Sequence, residues 1–312
     1  MSKQPTRDRV NPEAIDTTPI RRPSWIKVRA PSDETYEQLK EMMHRKELHT
    51  VCEEANCPNM GECWGSGTAT FLILGDVCTR RCGFCDIKHG KPLPIDWDEP
   101  ERIAQAVKAM DLKHAVITSV DRDDDNLGGA KIFALVINRI RELHPGCSVE
   151  VLIPDFQGEP DALKIIMDAR PEILNHNLET VPRLFRSVQP SDKLEWSEAV
   201  LIGAKQLDTE VLTKSGVMLG LGETLDEIKE VMELLRTRDV DILTIGQYLQ
   251  PSRHHLPVSK YYPIEDFEML KQFGLSIGFL WVESAPLVRS SYHAAEQVRA
   301  LSTVHEQLYG SN

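Results

Sequence analysis

Six of the seven cysteines fall between residues 52 and 85, in CEEANCPNMGECW (52–64) and CTRRCGFC (78–85). Cys52, Cys57 and Cys63 are spaced C-x4-C-x5-C, and Cys78, Cys82 and Cys85 are spaced C-x3-C-x2-C. Thiols grouped this way are metal ligands rather than a disulfide framework, which belongs to short secreted chains. Structural zinc takes four ligands, commonly from paired C-x2-C knuckles. Each group here supplies three. Soft thiolates suit iron–sulfur clusters, and a four-iron cubane held by three cysteines leaves one iron open to a different ligand. In an electron carrier that opening would be a defect; in an enzyme it is a binding site. Spacing alone leaves a second reading open, a zinc module of the treble-clef or ribbon kind completed by His49 or His89.

Something must position these thiols, and the sequence around them alternates strand-like and helix-like segments. The strands are expected at 71–76 (FLILGD), 115–121, 149–155, 172–179, 215–222 and 241–249, each short, apolar and ending in polar residues. Between them, helical periodicity marks 100–110, 130–143, 161–169, 197–207, 224–237 and 263–273. Six strand–helix units with right-handed crossovers predict a partial (β/α)6 barrel of TIM type. Such barrels do their chemistry at the C-terminal mouth of the strands. Asp121, Asp155, Asn177 with Glu179, and Gln247 with Tyr248 fall there, and the 78–85 loop follows the first strand onto the same mouth. The segment LSIGFLWVES (275–284) is expected to cover the barrel.

Composition narrows the classes. The net charge of −12, from 36 basic and 48 acidic residues, argues against nucleic acid or an anionic membrane as partner. No apolar run approaches the ~20 residues of a membrane span. Residues 1–22 carry arginines as a transit peptide would, but Asp8, Glu13 and Asp16 interrupt that composition. They read as a disordered or wrapping arm on a cytoplasmic protein.

The 78–85 loop, with Phe84 before its last cysteine and FLILGD before its first, resembles the cluster motif of the radical S-adenosylmethionine (SAM) enzymes. From about residue 23 to 295 the chain further resembles the lipoyl synthase family, the alternative being another radical SAM enzyme with an auxiliary cluster. The segments LHTVCEEANCPNMGECW, TSVDRDD, VLIPDFQG, NHNLETVPRLF, TKSGVMLGLGET, IGQYLQPSRHHLPV and PLVRSSYHA carry this likeness. Two stretches depart from it: VQPSDKLEW (188–196) lacks an arginine and a tyrosine of the family pattern, and Ala285 stands where glycine is usual.

The resemblance implies a radical SAM barrel over 68–285, with an N-terminal extension (23–67) and a C-terminal tail (286–312) covering the mouth. It implies two [4Fe–4S] clusters, one on Cys78, Cys82 and Cys85, the other on Cys52, Cys57, Cys63 and Ser291. By composition alone, VRSSYHA would be an ordinary C-terminal cap. The implied reaction inserts two sulfur atoms, at C6 and C8, into an octanoyl chain on a carrier lysine. The first cluster and SAM generate a 5′-deoxyadenosyl radical, and the second cluster is consumed as the sulfur source, with two SAM molecules used. Unactivated C–H bonds offer nothing to a side-chain acid or base, so such chemistry belongs to a cofactor.

Implied partners are an octanoylated lipoyl carrier domain or glycine-cleavage H protein, a ferredoxin or flavodoxin as reductant, and an iron–sulfur cluster carrier. Phe84, Asp121, Asn177, Glu179 and Arg183 are the candidate SAM contacts, though each polar one could equally be a satisfied loop group. Lys214 and Arg253 are candidate contacts to substrate or carrier, or surface charges. GLGE (220–223) is a turn, or a nucleotide contact; His254 and His255, bracketed by Pro251 and Pro257, are loop residues. Cys147 stands alone before a strand and is expected to ligate nothing.

Overall fold

The β-branched apolar runs form the wall of one curved sheet. A computed structural model of the chain describes residues 21–26, 34–54, 59, 70–298, 300 and 301. The strands are β1 (His49–Thr50), β2 (Thr70–Ile73), β3 (Val77–Cys78), β4 (Lys88–His89), β5 (His114–Ser119) and β6 (Ser148–Leu152). They continue with β7 (Ile173–Asn175), β8 (Leu212–Leu219), β9 (Ile242–Gln247) and β10 (Trp281–Ser284). Eight of them make one sheet in the order β1-β2-β5-β6-β7-β8-β9-β10, while β3 and β4 pair separately. Among the described residues, only β1 runs antiparallel within the large sheet. Among the described residues the sheet is mostly parallel, with helical crossovers and open edges, a partial TIM barrel as the sequence predicts.

The crossover helices are Glu99–Ala109, Ala130–Leu143, Pro160–Asp168, Leu194–Leu207, Leu225–Thr237 and Ile264–Ser276. Leu225–Thr237 shows why they form. Thr224 accepts from the Glu227 amide at 3.2 Å and Glu227 accepts from the Thr224 amide at 2.8 Å, a reciprocal cap. Ile228, Val231, Met232 and Leu235 then bury one face, each worth about 1.5–3 kcal/mol. A further helix, Pro182–Val188, was not evident in the sequence; it is too short for periodicity and starts on a proline that suits a first helical turn.

One expectation is corrected. The segment 275–284 does not cover the barrel. Its first residues end the helix Ile264–Ser276, and Trp281–Ser284 joins the wall beside β9, in register from Trp281↔Ile242 to Ser284↔Ile245. Gly278, at φ 100°, makes the reversal between them.

The two faces of the sheet differ. Ile73, Ile117, Val151, Leu174, Val217 and Ile245 pack outward with the helices. The alternate positions include His114, Glu150, Asn175 and Lys214, all buried, on the inner face. The chain's own tail fills that face. Val288 crosses β9 so closely that a Cβ on Gly246 would lie 2.2 Å from its carbonyl oxygen. Leu301 ends against Ile173 and Ile242 at the opposite end of the strands. The two extensions meet where Asn59 Nδ2 donates to the Leu287 carbonyl at 2.5 Å.

Lys214 is neither a surface charge nor exposed to a substrate. It is completely buried, with Nζ 3.1 Å from Glu150 Oε1. Burial pushes the Glu150 carboxyl up, but the Lys214 charge, with His114 and Asn175, holds it down at about 2. Removing one partner of such a pair costs about 3–5 kcal/mol. Cys147 is 4% exposed, in the core beneath β6, with Sγ donating to the Ser148 carbonyl at 3.4 Å. Cys147→Ser is therefore expected to retain the full iron content of the reconstituted protein; loss of one cluster's iron would make Cys147 a ligand. Among the described residues no helix is long and apolar enough to cross a membrane.

Candidate functional site

The cysteine loop leaves β2 at the mouth and is pinned there from three sides. Thr79 N donates to the Asp121 carbonyl at 3.1 Å, and Gly83 N donates to the Val188 carbonyl at 2.7 Å. Leu256 N donates to the Gly83 carbonyl at 2.9 Å, and Leu256 lies so close that a Cβ on Gly83 would meet its Cγ at 2.8 Å. Gly83 leaves room for the Leu256 side chain against the loop. His255 adds a fourth tie: Nε2 donates to the Cys85 carbonyl at 3.0 Å while Nδ1 accepts from Ser252 Oγ at 2.9 Å. The two-histidine loop thus clasps the cysteine loop through His255. Tyr248 holds that loop in turn, its hydroxyl donating to the Leu256 carbonyl at 2.6 Å.

Cys78, Cys82 and Cys85 are each part-buried, and none is in a disulfide. Two backbone amides point at Cys78 Sγ, from Asp121 at 3.3 Å and Arg80 at 3.4 Å. Burial pushes the thiols of Cys78 and Cys85 up, to about 12 and about 11, and Cys82 further still. Without a cation beside them they keep their protons, so iron would have to displace those protons on binding. Soft donors that need a positive partner, with amides aimed at one sulfur, fit an iron–sulfur cluster. Among the described residues no three His, Cys, Asp or Glu side chains converge on one ion. Cys57 and Cys63 lie outside the described residues, as does the side chain of Cys52, whose backbone is in the short helix Val51–Glu54.

Arg80, between the first two cysteines, is the organising cation. Its side chain is 3% exposed and reaches Asp123 at 2.8 Å, Asp155 at 2.7 Å, Asp192 at 2.8 Å and Asp121 at 3.5 Å. Two of these carboxylates touch the thiols: Asp121 Oδ2 accepts from Cys78 Sγ at 3.4 Å, and Asp192 Oδ2 from Cys82 Sγ at 3.9 Å. One guanidinium among four carboxylates leaves the mouth strongly acidic. Burial raises Asp121 to about 6 despite Arg80, and raises Asp192 as well.

The other anticipated residues are distributed unevenly. Asn177 and Glu179 meet, Nδ2 donating to Oε1 at 3.0 Å, and burial raises Glu179 to about 7. Phe84 packs part-buried on the second half of the core. Arg183 is instead half-exposed and paired with Glu227 at 2.7 Å, and it also donates to the Gly222 carbonyl at 2.9 Å. The GLGE turn closes on itself, with Glu223 accepting from the Gly220 and Leu221 amides at 2.5 and 2.9 Å. Gln247 is absorbed by backbone carbonyls of Leu219, Tyr248 and Lys260. Arg253 is exposed. Ser290 and Ser291 part company: Asn177 Nδ2 donates to Ser290 Oγ at 2.6 Å, and Thr70 Oγ1 donates to Ser291 Oγ at 2.8 Å. Sequence reading missed Arg80, Asp123 and Asp192. A charged residue between cluster cysteines was the available signal for the first, and nothing local marked the others.

Comparison with known proteins follows the same lines. A family model for the radical SAM superfamily matches residues 72–235, and one for the N-terminal domain of lipoyl synthase matches residues 6–57. The chain is 54% identical over 282 residues to the lipoyl synthase of Koribacter versatilis, covering 90% of this chain and 93% of the relative. It is 57% identical over 276 residues to that of Rubrobacter xylanophilus, covering 88% and 86% respectively. The chain belongs to the lipoyl synthase family. It is a sulfur-inserting radical SAM enzyme, with a [4Fe–4S] cluster and SAM as its cofactors. The zinc module, and a radical SAM enzyme of another family, give way to that membership. Among solved structures, methylornithine synthase superposes with a TM-score of 0.51 at 13% identity, covering 81% of this chain and 83% of its own. HydG, a maturase of the [FeFe]-hydrogenase, does so at 0.51 and 15%, covering 85% and 64%. These two share the fold alone.

Proposed function

We propose that the lipoyl synthase activity is divided between two cysteine groups: Cys78, Cys82 and Cys85 hold the cluster that binds SAM, and Cys52, Cys57, Cys63 and Ser291 hold a second that gives up its sulfur. When bound, the first cluster with SAM would supply hydrogen-atom abstraction at C6 and C8 of an octanoyl-lysine, and the second would supply the two sulfur atoms. The chain's own groups do the holding. Asp121 and Asp192 lie against the thiols of Cys78 and Cys82. Asp155 Oδ2 and Asn177 Oδ1 are buried without a partner among the described residues. Buried acceptors of this kind call for donors brought by a ligand. SAM brings an ammonium and a sulfonium, and either charge would favour the ionised forms of Asp121 and Glu179, which burial disfavours. Phe84 is assigned to the adenine. Arg183, engaged with Glu227, would have to exchange partners to reach SAM.

The observation that carries the division is the contact between Ser291 and Thr70 at 2.8 Å, because it sets the tail serine on the strand that follows Cys63 in sequence. In this reading residues 1–22 are an arm, 23–67 carry the second cluster, 68–285 are the barrel, and 286–312 are the tail. Two SAM molecules are used for each lipoyl group. The carrier is an octanoylated lipoyl domain or glycine-cleavage H protein, the reductant a ferredoxin or flavodoxin, and rebuilding of the spent cluster falls to an iron–sulfur carrier in the cytoplasm. The test is anaerobic: reconstituted, reduced protein is incubated with SAM and an octanoylated carrier domain. It is expected to give lipoyl-lysine and about two methionines per lipoyl group. Methionine without a sulfur-containing product would overturn the sulfur-donor assignment.

A further inference from the structure

We infer that Lys214 and Gln297 are positioning residues that fix Ser291 from inside the barrel; the importance of Ser291 itself rests on the reading above. The relay is continuous. Lys214 Nζ donates to Glu150 at 3.1 and 3.2 Å and to Gln297 Oε1 at 2.9 Å. Gln297 Nε2 donates in turn to the carbonyl of Tyr292 at 3.1 Å, on the residue after Ser291. Lys214, Glu150 and Gln297 are each fully buried. The turn at the far end is short and closed: Tyr292 N donates to the Arg289 carbonyl at 2.9 Å, and Ala294 N to the Ser291 carbonyl at 3.3 Å. One side chain from the helical stretch 294–298 therefore links the charged pair in the wall to the turn that presents Ser291.

The chemistry of the pair explains why a charge is used there. A buried ion pair contributes little net stability over apolar residues of the same volume. Its use here is directional. Glu150 already takes Asn175 Nδ2 at 2.9 Å as well as the ammonium, so the remaining Lys214 donor is satisfied only when Gln297 is docked. An undocked tail would leave a buried donor unmet, which is the costly state. The apolar contact of Leu301 and Val298 with Ile173 and Ile242 supplies no directional bond that would fix this register. Together with the Asn177–Ser290 and Thr70–Ser291 contacts, the hydrogen-bonded relay sets where along the inner face the tail stops, and with it the height of Ser291 beside Thr70.

The experiment uses the full chain reconstituted with both clusters. Gln297→Leu removes the relay and keeps Lys214 paired with Glu150; Lys214→Met with Glu150→Gln removes it from the wall side without stranding a charge. Amide hydrogen exchange is read across residues 286–298 and, separately, across the barrel strands. Both variants are expected to raise tail exchange roughly tenfold and to leave the strands unchanged, as the loss of one or two hydrogen bonds would. SAM cleavage is expected to persist, while lipoyl product per SAM cleaved falls roughly tenfold, in the direction of Ser291→Ala. Tail exchange that does not change in Gln297→Leu overturns the inference, and so does an increase that spreads equally over the strands. A normal product yield in Ser291→Ala overturns the ligand reading instead, so the two failures are told apart.

Discussion

Cys82→Ala is expected to abolish SAM cleavage, whereas Cys57→Ala retains cleavage and makes no lipoyl product. The asymmetry follows from where the two thiols stand. Cys82 is the middle cysteine of a loop pinned at Gly83 by Val188 and Leu256, and its sulfur faces Asp192. No other described cysteine can replace it, since Cys147, the remaining one outside the two groups, is buried beneath β6. On the proposed assignment the SAM-binding cluster would be a ligand short and could not hold SAM. Cys57 belongs to the first group, ahead of β2, so its loss leaves the barrel loop intact. Turnover there becomes uncoupled: methionine is released and no carbon–sulfur bond follows. Quantifying methionine and lipoyl-lysine from the same anaerobic reaction checks both halves. A near-normal yield of lipoyl product per chain from Cys57→Ala would end the sulfur-donor assignment.

Much of this arrangement was legible because its signals are local. FLILGD and the strands after it announce themselves by β-branched apolar runs, and the crossover helices by their period. The cysteine spacing needs only the residues between 52 and 85. What escaped depends on parts of the chain far apart. Lys214 sits in TKSGVML, where a lysine among small residues looks like a contact to something outside. Its partners are Glu150 on a neighbouring strand and Gln297 in the tail, and no window of sequence joins the three. An inner face filled by the chain's own tail also relaxes the rule that a central strand is apolar on both sides. That is why polar inward residues such as His114 and Asn175 carried no warning. The strand Trp281–Ser284 was mistaken for a cover because it is only four residues long and follows a helix that ran past its predicted end. The carboxylates around Arg80 are a mixed case at the mouth: Asp121 and Asp155 were legible as polar strand ends, whereas Asp123 and Asp192 join them on Arg80 only in the fold.

Arg80→Leu is expected to remove the iron of the SAM-binding cluster, and with it SAM cleavage, while the second cluster survives. Four carboxylates now share one guanidinium. Asp123 takes it bidentately, with Nε and Nη2 at 2.8 Å, and Asp155 and Asp192 take single contacts at 2.7 and 2.8 Å. Without the cation these groups repel one another in a buried site, at a cost of about 3–5 kcal/mol when one partner of such a network is lost. They can relieve it by taking up protons or by moving apart. Either response disturbs the thiols, because Asp121 lies on Cys78 and Asp192 on Cys82. Arg80 is also part of the loop, so its loss frees the segment between those two cysteines. Arg80→Lys restores the charge but not the planar fork, and one ammonium cannot serve carboxylates on four sides. It is expected to keep part of the cluster and to cleave SAM slowly. Asp123→Asn, whose side chain is 29% exposed, leaves the guanidinium with Asp155, Asp192 and Asp121 and is expected to lose less iron than Arg80→Leu, while the thermal melting of each variant reports any general loss of folding. Iron per chain, the visible absorbance and methionine release are measured on all three under anaerobic conditions. Full iron and normal SAM cleavage in Arg80→Leu would show that the cysteine loop holds its shape without the guanidinium. The backbone ties of Thr79 and Gly83 and the His255 side chain would then be its whole support.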